Sequence, residues 1–202
     1  MASATTLPTL VLVEGESDAA AVRALADLVR FDLGLHQVQI CSAAGVTNFS
    51  RVLANFVRTH PGADFCGMYD VADERHVRRA LANAAIPIAA HESLESFGFF
   101  ACVADLEDEL IRALGAEAVE RVLEAQAELN SFRHFQAMPQ HRCAPVHHQL
   151  RRFLGTRATR KIRSARRLVE ALDRARLPRP LAQLAARLLD PAALQRPRPR
   201  DV

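Results

Sequence analysis

The chain has 202 residues, of which 50% are hydrophobic and only 8 are Gly and 10 Pro. That is enough apolar material for one compact domain, with or without a helical extension, and it excludes a disordered, collagen-like or linker-dominated chain. The overall charge of +3 conceals a division: residues 1–130 hold 9 Arg and 19 Asp+Glu, a net of −10, and residues 131–202 hold 16 Arg, one Lys and 4 Asp+Glu, a net of +13.

The N-terminal segment has no basic region before its first apolar run and meets acid at Glu14, so no secretory signal is expected. Residues 9–13 (TLVLV) are β-branched and apolar between Pro8 and Glu14-Gly15, which predicts a buried parallel strand. Residues 17–31 have helical periodicity, with Ser17 as N-cap and Ala20, Leu25, Leu28 and Val29 on one face. Strands are predicted over 37–41, 64–69 and 99–103. Helices are predicted over 47–58, capped by Thr47 or Asn48, and over 73–84 and 105–114. Strands alternating with helices predict an α/β fold: a parallel sheet of about four strands flanked by helices. Beyond Leu129 strand signals stop. Helices are predicted over 116–129, 146–154, 162–175 and 180–189, making a mainly helical C-terminal half. The expected organisation is an α/β domain over 1–115, a basic helical extension over 116–190 packed on it, and a disordered tail over 191–202, where Pro and Arg alternate. No apolar run reaches the roughly 18 residues of a membrane span. The cysteines Cys41, Cys66, Cys102 and Cys143 form no CxxC pair. They read as reduced thiols of a cytoplasmic protein, mostly core fillers.

Acids cluster after three of these strands: Glu14, Glu16 and Asp18; Asp70, Asp73 and Glu74; and Asp105, Glu107 and Asp108. Ligands of open parallel sheets bind beyond the carboxyl ends of the strands. Carboxylates gathered there would repel one another, and a divalent cation removes that cost. Oxygen-only ligands select Mg²⁺ or Mn²⁺ over zinc. Helix capping also explains acids in a first helical turn. The histidines His134, His141, His147 and His148 with Cys143 match no structural zinc spacing. Phe132, Phe135 and Phe153 are spaced as core residues or as base-stacking platforms.

The ordered set VLVEGESD at 11–18, GVTNF at 45–49, YDVADE at 69–74, VADLEDELIRALG at 103–115 and the late Lys161 in TRKIRSARRLVEAL resembles the TOPRIM domain of the OLD-family (overcoming lysogenization defect) nucleases. The resemblance implies a TOPRIM-like fold and a two-metal nuclease site for Mg²⁺ or Mn²⁺, with the departure described below leaving one or two ions. It implies Glu14, Asp18, Asp70 and Glu107, the last in preference to Asp108, as metal ligands, with Glu14 and Lys161 catalytic. The chain departs from the family at Ala72, where the second aspartate of a DxD motif belongs, and Asp73 or Glu74 is expected to take its place. It also lacks the GxxxxGK[ST] motif, so no ATP site of that type is present, and the chain reads as a stand-alone TOPRIM protein with an ATPase partner in trans.

Lys161 is the one lysine among 25 arginines. A compact ammonium can approach a scissile phosphate as a point charge or proton donor. Arg151, Arg152, Arg157, Arg160, Arg163, Arg166 and Arg167 surround it, and no acid interrupts residues 131–169. With Ile162, Ala165, Val169 and Leu172 as the buried stripe, these arginines are expected to face a phosphate backbone, of DNA or alternatively RNA. The leading expectation is phosphodiester hydrolysis on DNA. The alternative is a non-catalytic nucleic-acid-binding or regulatory subunit of a partner ATPase, which Ala72 favours. For the first, Lys161 must fold back against the acids.

Overall fold

The structure is a computed structural model that describes residues 7–190; the tail predicted over 191–202 lies outside the described residues. Its centre is a parallel sheet of β1 (Thr9–Val13), β2 (Val38–Ser42), β3 (Asp64–Asp70) and β4 (Phe99–Cys102), in the order β2-β1-β3-β4. Every residue of β1 is buried because both faces of the sheet are covered. Alternation along the strands divides the core in two. Leu10, Leu12, Phe65, Tyr69 and Phe99 face α2 (Phe49–Thr59) and α3 (Glu74–Asn83). Val11, Val13, Met68, Phe100 and Cys102 join a larger core with α1 (Glu16–Val29) and the C-terminal helices.

Those helices are α4 (Leu106–Leu114), α5 (Ala116–Ala125), α6 (Leu129–Ala137), α7 (Val146–Leu154), α8 (Ala158–Glu170) and α9 (Arg179–Leu189). The alternating strand–helix order and the four parallel strands stand as read from the sequence. Boundaries differ for local reasons. Helix α1 begins at Glu16, not Ser17, because Asp18 reaches back to accept the Gly15 N–H at 2.9 Å. The segment predicted as one helix over 116–129 breaks after Ala125, where Ala127 takes φ 57°, and α6 follows without a Gly or Pro to announce it. Helix α8 starts four residues earlier than predicted and ends at Glu170. Its Ile162 is exposed, while Ser164, Ala165, Leu168 and Val169 pack inward. Phe132, Phe135 and Phe153 form a buried aromatic group with ring centroids 5.2 and 5.5 Å apart, which removes them as base-stacking platforms. Cys66 and Cys102 fill the core as expected, but Cys143 is exposed.

Two ion pairs fasten the helical half. Arg160 lies under the α6 entrance, 2.8 Å from Glu128 and stacked 4.0 Å above Phe153. Arg187 of α9 reaches Asp64 at the start of β3, 3.0 Å away, passing over Gly98, where a Cβ would meet its Nε at 2.7 Å.

Gly67 carries the tightest constraint. A Cβ there would stand 2.1 Å from the Leu12 carbonyl oxygen and 3.0 Å from Phe99. The close approach of β1 to β3 therefore requires glycine. Gly67→Ala is expected to lower unfolding free energy by about 1–3 kcal/mol in a urea titration; an unchanged midpoint would show that the strands can separate at no cost.

Candidate metal centre

The chain runs from β1 outward to β2 and then returns to β3 on the opposite side of β1. The carboxyl ends of β1 and β3 therefore flank the point where the winding reverses, the usual place for a ligand in such a sheet. Glu14 follows β1 and Asp70 ends β3. The loop after β2 fixes Glu14: the Gly45 N–H donates to the Glu14 carbonyl at 3.0 Å, with Gly45 at φ 111°. Asn48, expected as a helix cap, instead donates from its side chain to the carbonyls of Ala43 (2.9 Å) and Ala44 (3.1 Å), closing this loop.

After Asp70 the chain makes a 3₁₀ turn over Val71–Asp73. That turn carries Asp73 round to the strand end, and carboxylate oxygens of Glu14, Asp70 and Asp73 lie within 4.8 Å of one another. Among the described residues no salt bridge reaches any of the three. The structure thus brings Asp73, not Glu74, to Glu14 and Asp70. Glu74 turns along α3 and pairs with Arg78 at 2.7 Å, while Arg78 also holds the Glu92 carbonyl.

A second group lies beside the first. Glu107, in the first turn of α4, is 3% exposed. Its Oε2 is 3.5 Å from the Lys161 Nζ, and its Oε1 is buried with no hydrogen-bond partner. Lys161, distant in sequence, arrives because α8 packs along α1. Asp18, on α1, keeps one oxygen on the Gly15 N–H. Asp105 caps α4 through the Asp108 N–H at 2.8 Å and takes Arg151 at 2.8 Å. Asp108 pairs with His147 and Arg112.

Crowding shows in the titration of these groups. Burial, and then the charges of Glu14, Asp105, Asp18 and Glu107, push the Asp70 carboxyl up to about 7. Burial also lifts Glu107 to about 7 against the pull of Lys161. Glu14 and Asp18 are raised, chiefly by burial. Lys161 is held above its ordinary value by Glu107 and Asp18, although burial opposes this.

The seven arginines divide. Arg151 sits at the site on Asp105. Arg160 is 7% exposed and bound to Glu128, so it is structural rather than free for a phosphate. Arg163 is 2.6 Å from Glu128, and Arg166 and Arg167 pair with Glu170 at 2.7 and 2.8 Å. The absence of acids within 131–169 misled because the flanking Glu128 and Glu170 supply them. Arg152 and Arg157 are exposed, with no salt bridge among the described residues. His141 is buried against Phe135, and no described His or Cys joins a metal-ligating group. Sequence reading grouped Asp105 with the strand-end acids but did not foresee its pairing with Arg151, nor that the Gly45 N–H and the Asn48 side chain would fix the loop beside Glu14.

Residues 8–68 match the family model described as "Overcoming lysogenization defect protein-like, TOPRIM domain". Residues 8–68 therefore carry the pattern of an OLD-like TOPRIM domain. Its fold matches the C-terminal region of the Xanthomonas campestris pv. campestris OLD protein with a TM-score of 0.66 at 20% identity, over 92% of this chain and 96% of that one. It also matches the C-terminal region of the Burkholderia pseudomallei OLD protein with a TM-score of 0.65 at 19% identity, over 93% and 98%. No curated protein matches the sequence. The match supports a nucleic-acid-related, metal-binding type of domain, and the acidic group of Glu14, Asp70 and Asp73 lies at the ends of β1 and β3. Among the described residues no helix is long and apolar enough to cross a membrane.

Raised carboxyl values are stability statements. Asp70 and Glu107 rise from 3.8 and 4.5 to about 7, so the stability tied to their protons is complete below the lower values and lost as pH climbs through 7. In EDTA, Tm is expected to fall between pH 6 and pH 8, and Asp70→Asn should raise Tm at pH 8. Differential scanning fluorimetry reads both; a lower Tm for Asp70→Asn at pH 8 would contradict the crowding.

Proposed function

We propose that this TOPRIM protein is a Mg²⁺- or Mn²⁺-dependent nuclease that hydrolyses phosphodiester bonds in DNA, working with an ATPase supplied in trans. The observation that supports it is the convergence of Glu14, Asp70 and Asp73 with Lys161 close by. Three carboxylates without a cation of their own suit a hard divalent ion, and they would hold it through one oxygen each. Such an ion supplies a Lewis acid and a more acidic bound water.

The protein's own groups do the rest. Asp70, crowded by four other carboxylates, is ready to exchange a proton for a cation near neutral pH. Lys161 is placed to meet charge developing on a phosphate oxygen, or to protonate the leaving oxygen. Arg151 brings a second positive charge to the rim. Arg152 and Arg157 stand free on the surface to neutralise flanking phosphates without reading sequence. The non-catalytic reading rests on Ala72, and Asp73 supplies the carboxylate that Ala72 lacks.

Incubation with supercoiled plasmid and Mg²⁺ or Mn²⁺ is expected to give nicked product. Lys161→Ala should lower turnover by about 10²–10³-fold with DNA affinity nearly intact. The double change Arg152→Ala, Arg157→Ala should weaken binding and flatten its salt slope by about two. No cleavage by the wild type under any of these conditions would return the regulatory reading.

A further inference from the structure

The loop over 30–37 joins α1 to β2 and so lies at the amino ends of the strands, away from the acids. It presents Leu35, at 77% the most exposed large apolar residue among the described residues. That exposure is built in. The Leu35 N–H donates to Asp32 Oδ1 at 2.9 Å, and the His36 N–H donates to the Asp32 carbonyl at 3.2 Å. The Gln37 N–H reaches the Gly34 carbonyl at 3.1 Å, and the Val38 N–H reaches the Leu33 carbonyl at 2.8 Å. The His36 ring stacks on the buried Phe31, with centroids 4.5 Å apart. Single exposed leucines are ordinary. This one is held out by a loop that is already ordered, so little conformational entropy is left to lose when it is covered.

Two hollows adjoin the loop. One, of about 570 Å³, is walled by Leu7, Pro8, Leu33, Gly34 and Val38. The other, of about 530 Å³, lies between the end of α1 and the loop and includes Asp27, Arg30 and Asp32. Leu33 and Gly34 line both, so knob, apolar hollow and charged hollow share one face. Arg30, Asp27 and Asp32 are exposed, and among the described residues no salt bridge reaches them. We propose that this face docks a second copy of the chain about a two-fold axis, with Leu35 of each copy seated in the apolar hollow of the other. A two-fold contact requires one patch to carry both halves of every interaction. This patch does so twice: Leu35 stands beside a hollow that accepts a leucine, and Arg30 stands beside acids that accept an arginine. Joined there, the copies leave the carboxyl ends of both sheets uncovered.

Sedimentation velocity of the full chain at rising concentration tests this without any metal or nucleic acid. The wild type is expected to pass from monomer to dimer. Leu35→Asp should raise the dimer dissociation constant by about 10²-fold. Its Tm as a monomer should not change, because residue 35 is mostly in solvent. Leu35→Met should keep the dimer, and Arg30→Glu should weaken it by about tenfold or more, since it sets like charges across the axis. A wild type that stays monomeric at every concentration would overturn the inference. So would a dimer that persists unchanged in Leu35→Asp, which would place the contact on another face, or one indifferent to Arg30→Glu, which would remove the charge match that selects a second copy.

Discussion

Carboxylates gathered at the end of a parallel sheet must be neutralised, because the strands that carry them are buried on both faces and cannot move apart to relieve the repulsion. Glu14 and Asp70 are fixed by β1 and β3, whose spacing Gly67 allows. Everything around them answers that constraint. Asp73 turns in and intensifies it, Arg151 neutralises Asp105, and Lys161 is brought from the far half of the chain to Glu107. The groups left without a partner are driven toward their protonated forms, which is where a metal ion gains most by binding.

Bringing Lys161 there is a packing problem before it is an electrostatic one. Helix α1 is rich in small residues, with Ser17, Ala21, Ala24 and Ala26 all buried. Helix α8 answers with Ser164 and Ala165. The two helices pack against each other, and small buried side chains on each favour a close approach. The first turn of α8 then projects beside the first turn of α1, where Asp18 stands. The basic half is therefore part of the same hydrophobic core as the first strand, and a loss of α8 packing would remove the ammonium from the acids.

The fold was legible because the strands are short, three of the four are followed by acids, and the helices between them keep a clear period. The strand-end acids and Lys161 were legible as a set through the resemblance of their ordered motifs. What escaped was anything decided by tertiary pairing. The break at Ala127 has no Gly or Pro to mark it. The choice between Asp73 and Glu74 depends on a 3₁₀ turn and on Arg78, neither visible as such in the sequence. Asn48 has the identity of a cap but closes a loop instead. Arg160 looks like its basic neighbours, yet Glu128 and Phe153 take it out of solvent.

The contrast between an acidic first half and a basic second half changes meaning once those pairs are known. Arg160 and Arg163 share Glu128, Arg187 answers Asp64, Arg179 answers Glu95 and Arg133 answers Glu120. Every one of these joins an arginine after residue 130 to an acid before it, so much of the charge division is complementarity that holds the two halves together. Exposed members of that set contribute little to stability singly, but they also shed little positive field toward a polyanion. The arginines after residue 130 that face solvent with no salt bridge among the described residues are Arg142, Arg152, Arg157, Arg174 and Arg176, and they stand on several different segments of the helical half. Pairing between the halves therefore takes up only part of the basic charge, and the remainder is dispersed over the helical surface rather than gathered at the strand ends.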